Sequence, residues 1–269
     1  MAAKNFALEC FNILPDKMHW RLYLEIADLA KRENRFGEAR KLYRKVTKLQ
    51  PFASQGWLEY SKLEEECGDL AKCAQILRRG LMFCEYSESL LIKAIKHQEK
   101  MGRLDGAREL LSRLKHVGIE KVWRTVLEGA LLEARAGNMD MSRKFFNYLM
   151  THVPWYGPIY YEAFRLEEKA EEFERALEIV ESGLREIPRY GPLWFGAFRL
   201  SEKLDMRDAK ASLARGEVPQ LARATKMLDK AKDCISKELV WKVHFEAAQM
   251  QERLASMMAR DLSRQSRTQ

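Results

Sequence analysis

A repeat of about 34 residues runs along most of the chain, and it restricts the possible folds more than any other feature. Each unit starts with an aromatic or apolar residue, and successive starts are 34 or 35 residues apart. The starting residues are Tyr23, Trp57, Leu91, Val126, Tyr160 and Trp194. A period of this length is typical of stacked helical hairpins, so the sequence predicts an all-α array of about six to seven units.

Two further positions of the repeat define the hairpin. Sixteen residues after each of the first five starts stands a small side chain, which lets two helices approach closely: Ala39, Cys73, Ala107, Ser142 and Ala176. Eleven residues after each start stands the candidate for the turn between the two helices: Asn34, Gly68, Gly102, Gly137, Glu171 and Asp205. Glycine suits this position because it adopts the left-handed conformation at little cost.

The second unit shows how one hairpin is expected to fold. Its first helix carries a stripe with helical spacing that consists of Trp57, Tyr60, Ser61, Leu63 and Glu64. Gly68 ends this helix, and Asp69 can cap the next one. A single hairpin cannot bury its stripe, so neighbouring units must cover it. We therefore predict that Trp57, Tyr160 and Trp194 are packing residues and not ligand-binding residues.

The regularity of the repeat fades towards both ends. We predict one helical-repeat domain over residues 1–262, with regular units over 20–205 and less regular ones over 206–262. Residues 3–15 are predicted to be the second helix of an upstream unit. A loop near 216–219 precedes a helix over 221–236, and a final helix runs from Trp241 to about Arg260. The polar residues 263–269 are predicted to form a disordered tail, and the array looks cut from a longer solenoid.

The composition narrows the class of protein. Of the 269 residues, 46% are hydrophobic and 32% are charged, and the formal net charge is +8, which favours acidic partners or serves solubility. The five cysteines form no CxxC pair, which indicates a reducing compartment. No apolar run is long enough for a membrane span, and residues 1–15 lack the layout of a secretory leader.

Two segments carry a resemblance to a known family. Trp57-x-x-Tyr60-x-x-x-Glu64, with Gly68-Asp69 and the run from Ile76 to Leu81, resembles the HAT (half-a-TPR) repeat. The run from Ala176 to Leu184, followed by Pro188, resembles it too, whereas the first unit, with Ala39, Tyr43 and Pro51, looks closer to a plain tetratricopeptide repeat (TPR). The resemblance covers residues 20–205 well and 206–262 weakly.

The departures from the HAT pattern are few. Leu91 and Val126 replace the aromatic residue in two units, and Gln98 and Ser201 replace the acidic one in two. The resemblance implies a right-handed superhelical solenoid whose first helices line a concave groove. It also implies a role in RNA processing, because HAT arrays are known chiefly from RNA-processing complexes.

Two columns of mostly basic residues would face that groove. They lie five and nine residues after each start and therefore share one helix face. The basic members, which we name the groove cations, are Arg32, Lys62, Lys96, Lys100, Arg135, Arg165, Lys169, Arg199 and Lys203. They could track an RNA backbone or hold an acidic peptide. A mostly acidic column beside them, which includes Glu65, Glu168 and Glu202, would offset part of their charge, and a solvated face is the simpler alternative.

Aromatic residues could add to such a surface. Tyr161 and Phe195 follow two of the starts directly and could stack on single-stranded bases. The near-copies Pro154–Pro158 and Pro188–Pro192 each place an aromatic residue and a glycine between helices. Packing between units is the simplest role for these loops, although an exposed Trp155 or Tyr190 could be a contact hot spot.

The sequence shows no sign of catalysis. The histidines and cysteines fall in no metal-binding spacing, and no phosphate-binding glycine loop, nucleophile elbow or kinase signature is present. We expect no enzyme activity, no cofactor, no small-molecule substrate and no membrane partner.

Three functions remain open after the sequence. The first is a non-catalytic scaffold in RNA processing that binds RNA, proteins or both, and the second is direct RNA binding. The third is a peptide-binding TPR adaptor or cochaperone, against which the absence of asparagine from the groove columns counts. The expected location is the nucleus, with a chloroplast or mitochondrion as the alternative, and a homodimer is possible.

Overall fold

Thirteen α-helices make up the part of the chain that the computed structural model describes, namely residues 11, 13–215 and 217–268, and no strand occurs there. In chain order they are α1 (His19–Arg32), α2 (Phe36–Leu49), α3 (Ser54–Glu66), α4 (Leu70–Phe83), α5 (Glu88–Lys100), α6 (Leu104–Ser112), α7 (Trp123–Arg135), α8 (Met139–His152), α9 (Gly157–Lys169), α10 (Phe173–Glu186), α11 (Gly191–Ala214), α12 (Ala222–Cys234) and α13 (Val240–Thr268). The all-helical prediction is confirmed.

The chain divides into two compact units at residues 132 and 133, within α7. In the first unit, α1 pairs with α2, α3 with α4 and α5 with α6. Each first helix also contacts the next first helix, so α1 contacts α3, and α3 contacts α5. In the second unit, α9 pairs with α10 and α11 with α12, while α9, α11 and α13 contact in sequence. Each unit is therefore a stack of hairpins. The sequence prediction of one helical-repeat domain over residues 1–262 stays a prediction.

The predicted turn positions explain where the first helices end. Five of the six have a positive φ: Asn34, Gly68, Gly102, Gly137 and Glu171. The sixth, Asp205, lies inside α11, which continues to Ala214. Its buried carboxylate accepts a hydrogen bond from the backbone N–H of Ala224 at 2.9 Å, in the first turn of α12. Asp205 thus stabilises the next helix instead of ending its own.

The starting aromatic residues pack as predicted. Trp57, Tyr160 and Trp194 are all buried. The indole N–H groups of Trp57 and Trp194 donate to the carbonyl oxygens of Pro51 and Pro188 at 2.7 and 2.8 Å. The prolines that precede two hairpins thereby satisfy the polar atom of the buried ring, as a buried indole requires.

The predictions for the C-terminal end of the chain can be compared with the structure, whereas most of those for the N-terminal end cannot. Most of the helix predicted over residues 3–15 lies outside the described residues. The predicted loop near 216–219 is found between α11 and α12, although residue 216 itself is not described. The last helix is longer than predicted, because its backbone continues to Thr268 instead of ending near Arg260. The segment contains no glycine or proline that would stop it.

Candidate partner-binding surface

The groove cations of the first unit mostly pair with carboxylates. Lys100 on α5 reaches Glu65 on α3 at 3.1 Å, and Lys93 also bonds this carboxylate. Lys96 on α5 lies 3.2 Å from Glu128 on α7. These contacts link the first helices of successive repeats, so the acidic column predicted to offset the basic ones does so through direct ion pairs.

The second unit repeats this arrangement. Arg199 and Lys203 on α11 both bond Glu168 on α9, at 2.8 Å each. Two helices further along the chain, the Arg253 guanidinium on α13 donates to Glu202 on α11 at 2.9 Å. The face formed by the first helices therefore carries both signs of charge in close alternation, and not an uncompensated row of cations.

The pKa values of the two central carboxylates reflect these bonds. Hydrogen bonds from Lys93 and Lys100 hold the pKa of Glu65 below its usual value. Burial opposes ionisation of Glu168, but hydrogen bonds from Arg199 and Lys203 outweigh it and lower the pKa of that carboxyl. Both groups are therefore ionised at neutral pH.

The remaining groove cations differ in their surroundings. Lys62 bonds Glu59 of its own helix at 2.7 Å. The Arg165 guanidinium lies 5.6 Å from the centre of the Tyr161 ring, and its side chain is exposed. Arg32 and Lys169 are exposed and have no carboxylate partner among the described residues, whereas Arg135 is exposed but does take part in an interaction.

The aromatic residues that could contact a partner differ in their exposure to solvent. Tyr161 and Phe195 are half-buried against the core, beside Phe164 and Phe198 respectively. Tyr190 packs over Gly157, where an added Cβ would lie 2.6 Å from its ring. Trp155, in contrast, is 65% exposed. Of the two loop aromatics, only Trp155 is thus available to a partner in the way a hot spot requires.

A second exposed apolar surface lies in the first unit, where second helices lead into the next hairpin. Phe52 meets Phe83 edge-on, with ring centres 5.8 Å apart, and Phe83 stacks on the buried Trp57 at 5.9 Å. Phe52 is 72% exposed and Phe83 is 44% exposed. This edge was not predicted from the sequence, because its residues lie outside the columns of the first helices.

Sequence reasoning also missed a buried cluster between hairpins. Glu64 on α3 is fully buried and accepts bonds from Arg40 on α2 at 2.9 and 3.0 Å. The Lys72 ammonium on α4 lies 3.9 Å from the same carboxylate. We name these three residues a junction triad: a carboxylate between a cation of the preceding hairpin and one of its own.

The second unit contains a matching junction triad. Glu167 on α9 is 2% exposed and forms two bonds with Arg143 on α8, at 2.9 and 2.7 Å. Arg175 on α10 lies 3.7 Å away. Both triads occupy the same three positions of the repeat. The sequence therefore contained a signal for them, namely opposite charges at fixed positions of neighbouring repeats.

Reactive chemistry is not evident in the described part of the chain. No three His, Cys, Asp or Glu side chains lie close enough to hold a metal ion there. Cys67, Cys73, Cys84 and Cys234 are free thiols, and burial raises the pKa of Cys73 to about 11, which keeps it protonated. No helix searched combines the length and the apolar character needed to cross a bilayer.

Comparison with known proteins supplies the family. Residues 13–268 match the family described as PRP6, TPR-like domain. A TPR-containing protein of Dictyostelium discoideum is 56% identical over 251 residues, which are 93% of this chain and 18% of that protein. The mRNA 3'-end-processing protein rna14 of Aspergillus fumigatus is 37% identical over 60 residues, which are 22% of this chain and 6% of that protein. The chain thus spans less than a fifth of the length of either relative.

Two solved structures are similar to this chain at low sequence identity. PilF of Pseudomonas aeruginosa is 12% identical, with a TM-score of 0.50, over 85% of this chain and 97% of that one. A tetratricopeptide repeat protein from Parabacteroides merdae is 19% identical, with a TM-score of 0.48, over 86% of this chain and 85% of that one. At such identities the likeness to PilF concerns the fold alone.

Proposed function

Because the chain belongs to the family of PRP6 TPR-like domains, we propose that it is a non-catalytic scaffold segment that holds protein partners within a nuclear RNA-processing complex. The local similarity to an mRNA 3'-end-processing protein supports the same class of process. The observation that carries the choice of protein over RNA is the pairing of the groove cations with glutamates of adjacent repeats. A surface of alternating charge suits a protein surface of complementary charge better than a uniformly negative backbone.

The nine groove cations remain our proposed contact residues. Within the set, Arg32, Arg165 and Lys169 are the best placed to meet an acidic partner group, because none of the three side chains has a carboxylate partner among the described residues. These three also favour RNA as a second candidate ligand. RNA binding would then involve only a few phosphates and not a long stretch of the RNA backbone.

Two measurements on the same protein test the proposal. The tagged chain is isolated from nuclear extract with and without ribonuclease, and its affinity for labelled single-stranded RNA is measured at 50 and 200 mM salt. We expect ribonuclease-resistant recovery of proteins of a splicing or 3'-end-processing complex. We also expect weak RNA binding that changes by less than about tenfold between the two salt concentrations.

A variant that combines Lys96→Glu, Lys100→Glu, Arg165→Glu and Lys169→Glu separates the candidates. Submicromolar RNA binding that falls steeply with salt and vanishes in this variant would replace the protein scaffold with an RNA-binding function. Failure to recover any RNA-processing protein after ribonuclease treatment would overturn the scaffold proposal itself. The matched control carries Lys41→Glu, Lys48→Glu, Arg79→Glu and Arg185→Glu, which reverse four exposed cations of second helices.

A further inference from the structure

Among the junctions that the structure describes, one in the first unit holds only small or neutral residues at the three triad positions, and a cavity opens there. At the junction of α4 and α5, Ala74 stands where Arg40 stands one repeat earlier, and Gln98 stands where Glu64 does. The third position, that of Lys72, is Gly106. All three residues line a cavity of about 520 Å³ between α4 and α6, with α5 as its floor. Its size is within the range of ligand-binding pockets.

A second neutral junction shows that losing the charges does not by itself leave a cavity. Between α10 and α11 the three positions hold Leu177, Ser201 and Ala209. Leu177 packs against the core of the second unit, and Ala209 is buried. The aliphatic side chain thus takes the place of the arginine. At the α4–α5 junction the alanine and the glycine leave that place open.

The floor of the cavity carries a buried polar side chain without a partner. His97 on α5 is 3% exposed, and neither of its ring nitrogens has a hydrogen-bond partner. Burial lowers the pKa of this imidazole, so the ring is neutral at pH 7 and retains one N–H donor. An unpartnered buried polar group destabilises the fold, and a ligand that forms a hydrogen bond with it would remove that penalty. Gln98 adds an amide group on the same floor.

The walls of the cavity combine an apolar surface with unpaired cations. Leu77, Leu81 and Leu110 line the sides, and the 77% exposed Met82 extends this surface outward. Arg78 and Arg103 line the cavity, and their guanidinium groups form no ion pair within the described residues. The lining also includes Glu85, and Glu109, whose carboxylate is bonded to Arg113 at 2.7 Å. Arg113 lines the cavity too, so three arginines against two glutamates leave the lining with a formal charge of +1.

We propose that this cavity is a docking site for an acidic, leucine-rich helical segment of a protein partner, which places one carboxylate over His97 and Gln98. The aliphatic residues of the segment would pack on Leu77, Leu81 and Leu110, as in helix-in-groove recognition. Its other acidic groups would meet Arg78 and Arg103. This inference rests on the proposed scaffold function, for which it names one contact site.

The probe is a fluorescein-labelled, amidated 14-residue peptide of glutamate and leucine with the leucines at helical spacing. Two matched peptides replace every glutamate by glutamine or by lysine. The purified chain is titrated with each peptide, and binding is followed by fluorescence anisotropy. We expect micromolar binding of the glutamate peptide, at least tenfold tighter than that of either matched peptide. Equal affinities for the three peptides would overturn the proposed chemistry.

The decisive variant closes the cavity with the side chains of the other junctions. Ala74→Arg combined with Gln98→Glu rebuilds the ion pair formed by Arg40 and Glu64, and adds no net charge. We expect this variant to fold, by circular dichroism, and to bind the glutamate peptide at least tenfold more weakly than the wild type. The control, Leu177→Arg combined with Ser201→Glu, makes the same exchange in the other unit and should leave peptide affinity unchanged.

Two further measurements test the proposed site. In the chain labelled with 15N-histidine, the glutamate peptide should shift the ring signals of His97, which are identified by their loss in His97→Gln. Arg78→Glu with Arg103→Glu should weaken the glutamate peptide and strengthen the lysine one. Unchanged peptide affinity in the closed variant would refute the site. If the closed variant still recovers RNA-processing proteins from extract, the scaffold function stands apart from this site.

Discussion

The α2–α3 and α4–α5 junctions occupy equivalent places in adjacent repeats, yet one is filled by charge and the other is open. Glu64 at the first is fully buried between Arg40 and Lys72. At the second, Gln98, Ala74 and Gly106 line a cavity of about 520 Å³. The helices around both junctions pack in the same order, so the backbone does not require the ion pair. What the pair decides is whether the space between two hairpins is closed or accessible.

The second unit also contains one charged and one uncharged junction, but there the uncharged junction is filled. Arg143 and Glu167 form the charged junction, and Leu177 fills the uncharged one. A buried ion pair often contributes little more than well-packed apolar residues of similar volume. The two kinds of filled junction can therefore be similar in stability, whereas removal of a single partner from the charged kind is costly.

The largest expected effect comes from breaking the charged junction on one side. Arg40→Ala leaves the buried Glu64 carboxylate with only Lys72 at 3.9 Å, and we expect a loss of about 3 kcal/mol in the free energy of unfolding. Urea denaturation measures it. Arg40→Ala combined with Glu64→Gln copies two of the three residues of the α4–α5 junction and should recover at least half of the loss. If the double variant is as unstable as the single one, the two junctions are not equivalent.

The next effect comes from opening the filled neutral junction. Leu177→Ala removes a half-buried aliphatic side chain from the core of the second unit, and we expect a loss of about 2 kcal/mol. Thermal and urea denaturation of the variant provide the number. The exposed Glu178→Ala on the same helix is the control and should change stability by no more than about 0.5 kcal/mol. A loss equally small for Leu177→Ala would mean that this residue does not fill the junction.

A smaller effect is expected from charging the open junction in two steps. Gln98→Glu alone brings a carboxylate beside the buried His97 without a bonded cation, and should destabilise the chain by about 1–2 kcal/mol. Adding Ala74→Arg should remove most of that cost. A double-mutant cycle gives the coupling energy between the two positions. A coupling near zero would show that the arginine does not reach the carboxylate at this junction.

The smallest effect belongs to the half-exposed pairs of the first-helix face. Glu168→Gln should cost less than about 1 kcal/mol at pH 7, because Arg199 and Lys203 remain solvated when their partner is lost. The lowered pKa of Glu168 fixes the pH dependence. Its stabilisation is present above the ordinary glutamate value of 4.5 and is lost as the pH falls through the lower folded value.

Unfolding measured between pH 7 and pH 3 tests this sign. The difference in stability between the wild type and Glu168→Gln should be constant above about pH 5 and should shrink below it. Glu178→Gln on α10, whose exposed side chain has no ion pair among the described residues, serves as the reference for general acid effects. A difference that grows on acidification would mean that the Glu168 carboxylate opposes the fold instead of supporting it.

Several features of this protein followed from the sequence because they depend on local chemistry. The positions of the turns rest on residues such as Gly68 and Gly102, whose positive φ was foreseen from their place in the repeat. The burial of Trp57 and Trp194 followed from their spacing along one helix face. The family resemblance to TPR-like arrays of RNA-processing proteins agrees with the match to the PRP6 TPR-like domain.

The groove illustrates what spacing could only partly predict. The columns of Lys96, Lys100, Arg199 and Lys203 were predicted to lie on one face of each first helix. Their pairing with Glu65, Glu128 and Glu168 was not, because each of these bonds joins residues about 30 positions apart, on different hairpins. A periodic sequence states which residues share a column, but the rise and rotation between units decide which columns meet.

The sequence by itself determined the helical hairpins, their period and the buried face of each helix, since turn residues and apolar spacing act within one unit. Tertiary structure alone decided where the charges are neutralised and where a cavity stays open. The contrast of Arg40 and Glu64 with Ala74 and Gln98 is visible in the sequence, but its meaning depends on the side chains that surround each site. Leu177 fills one uncharged junction, and nothing fills the other, because packing depends on volume in three dimensions.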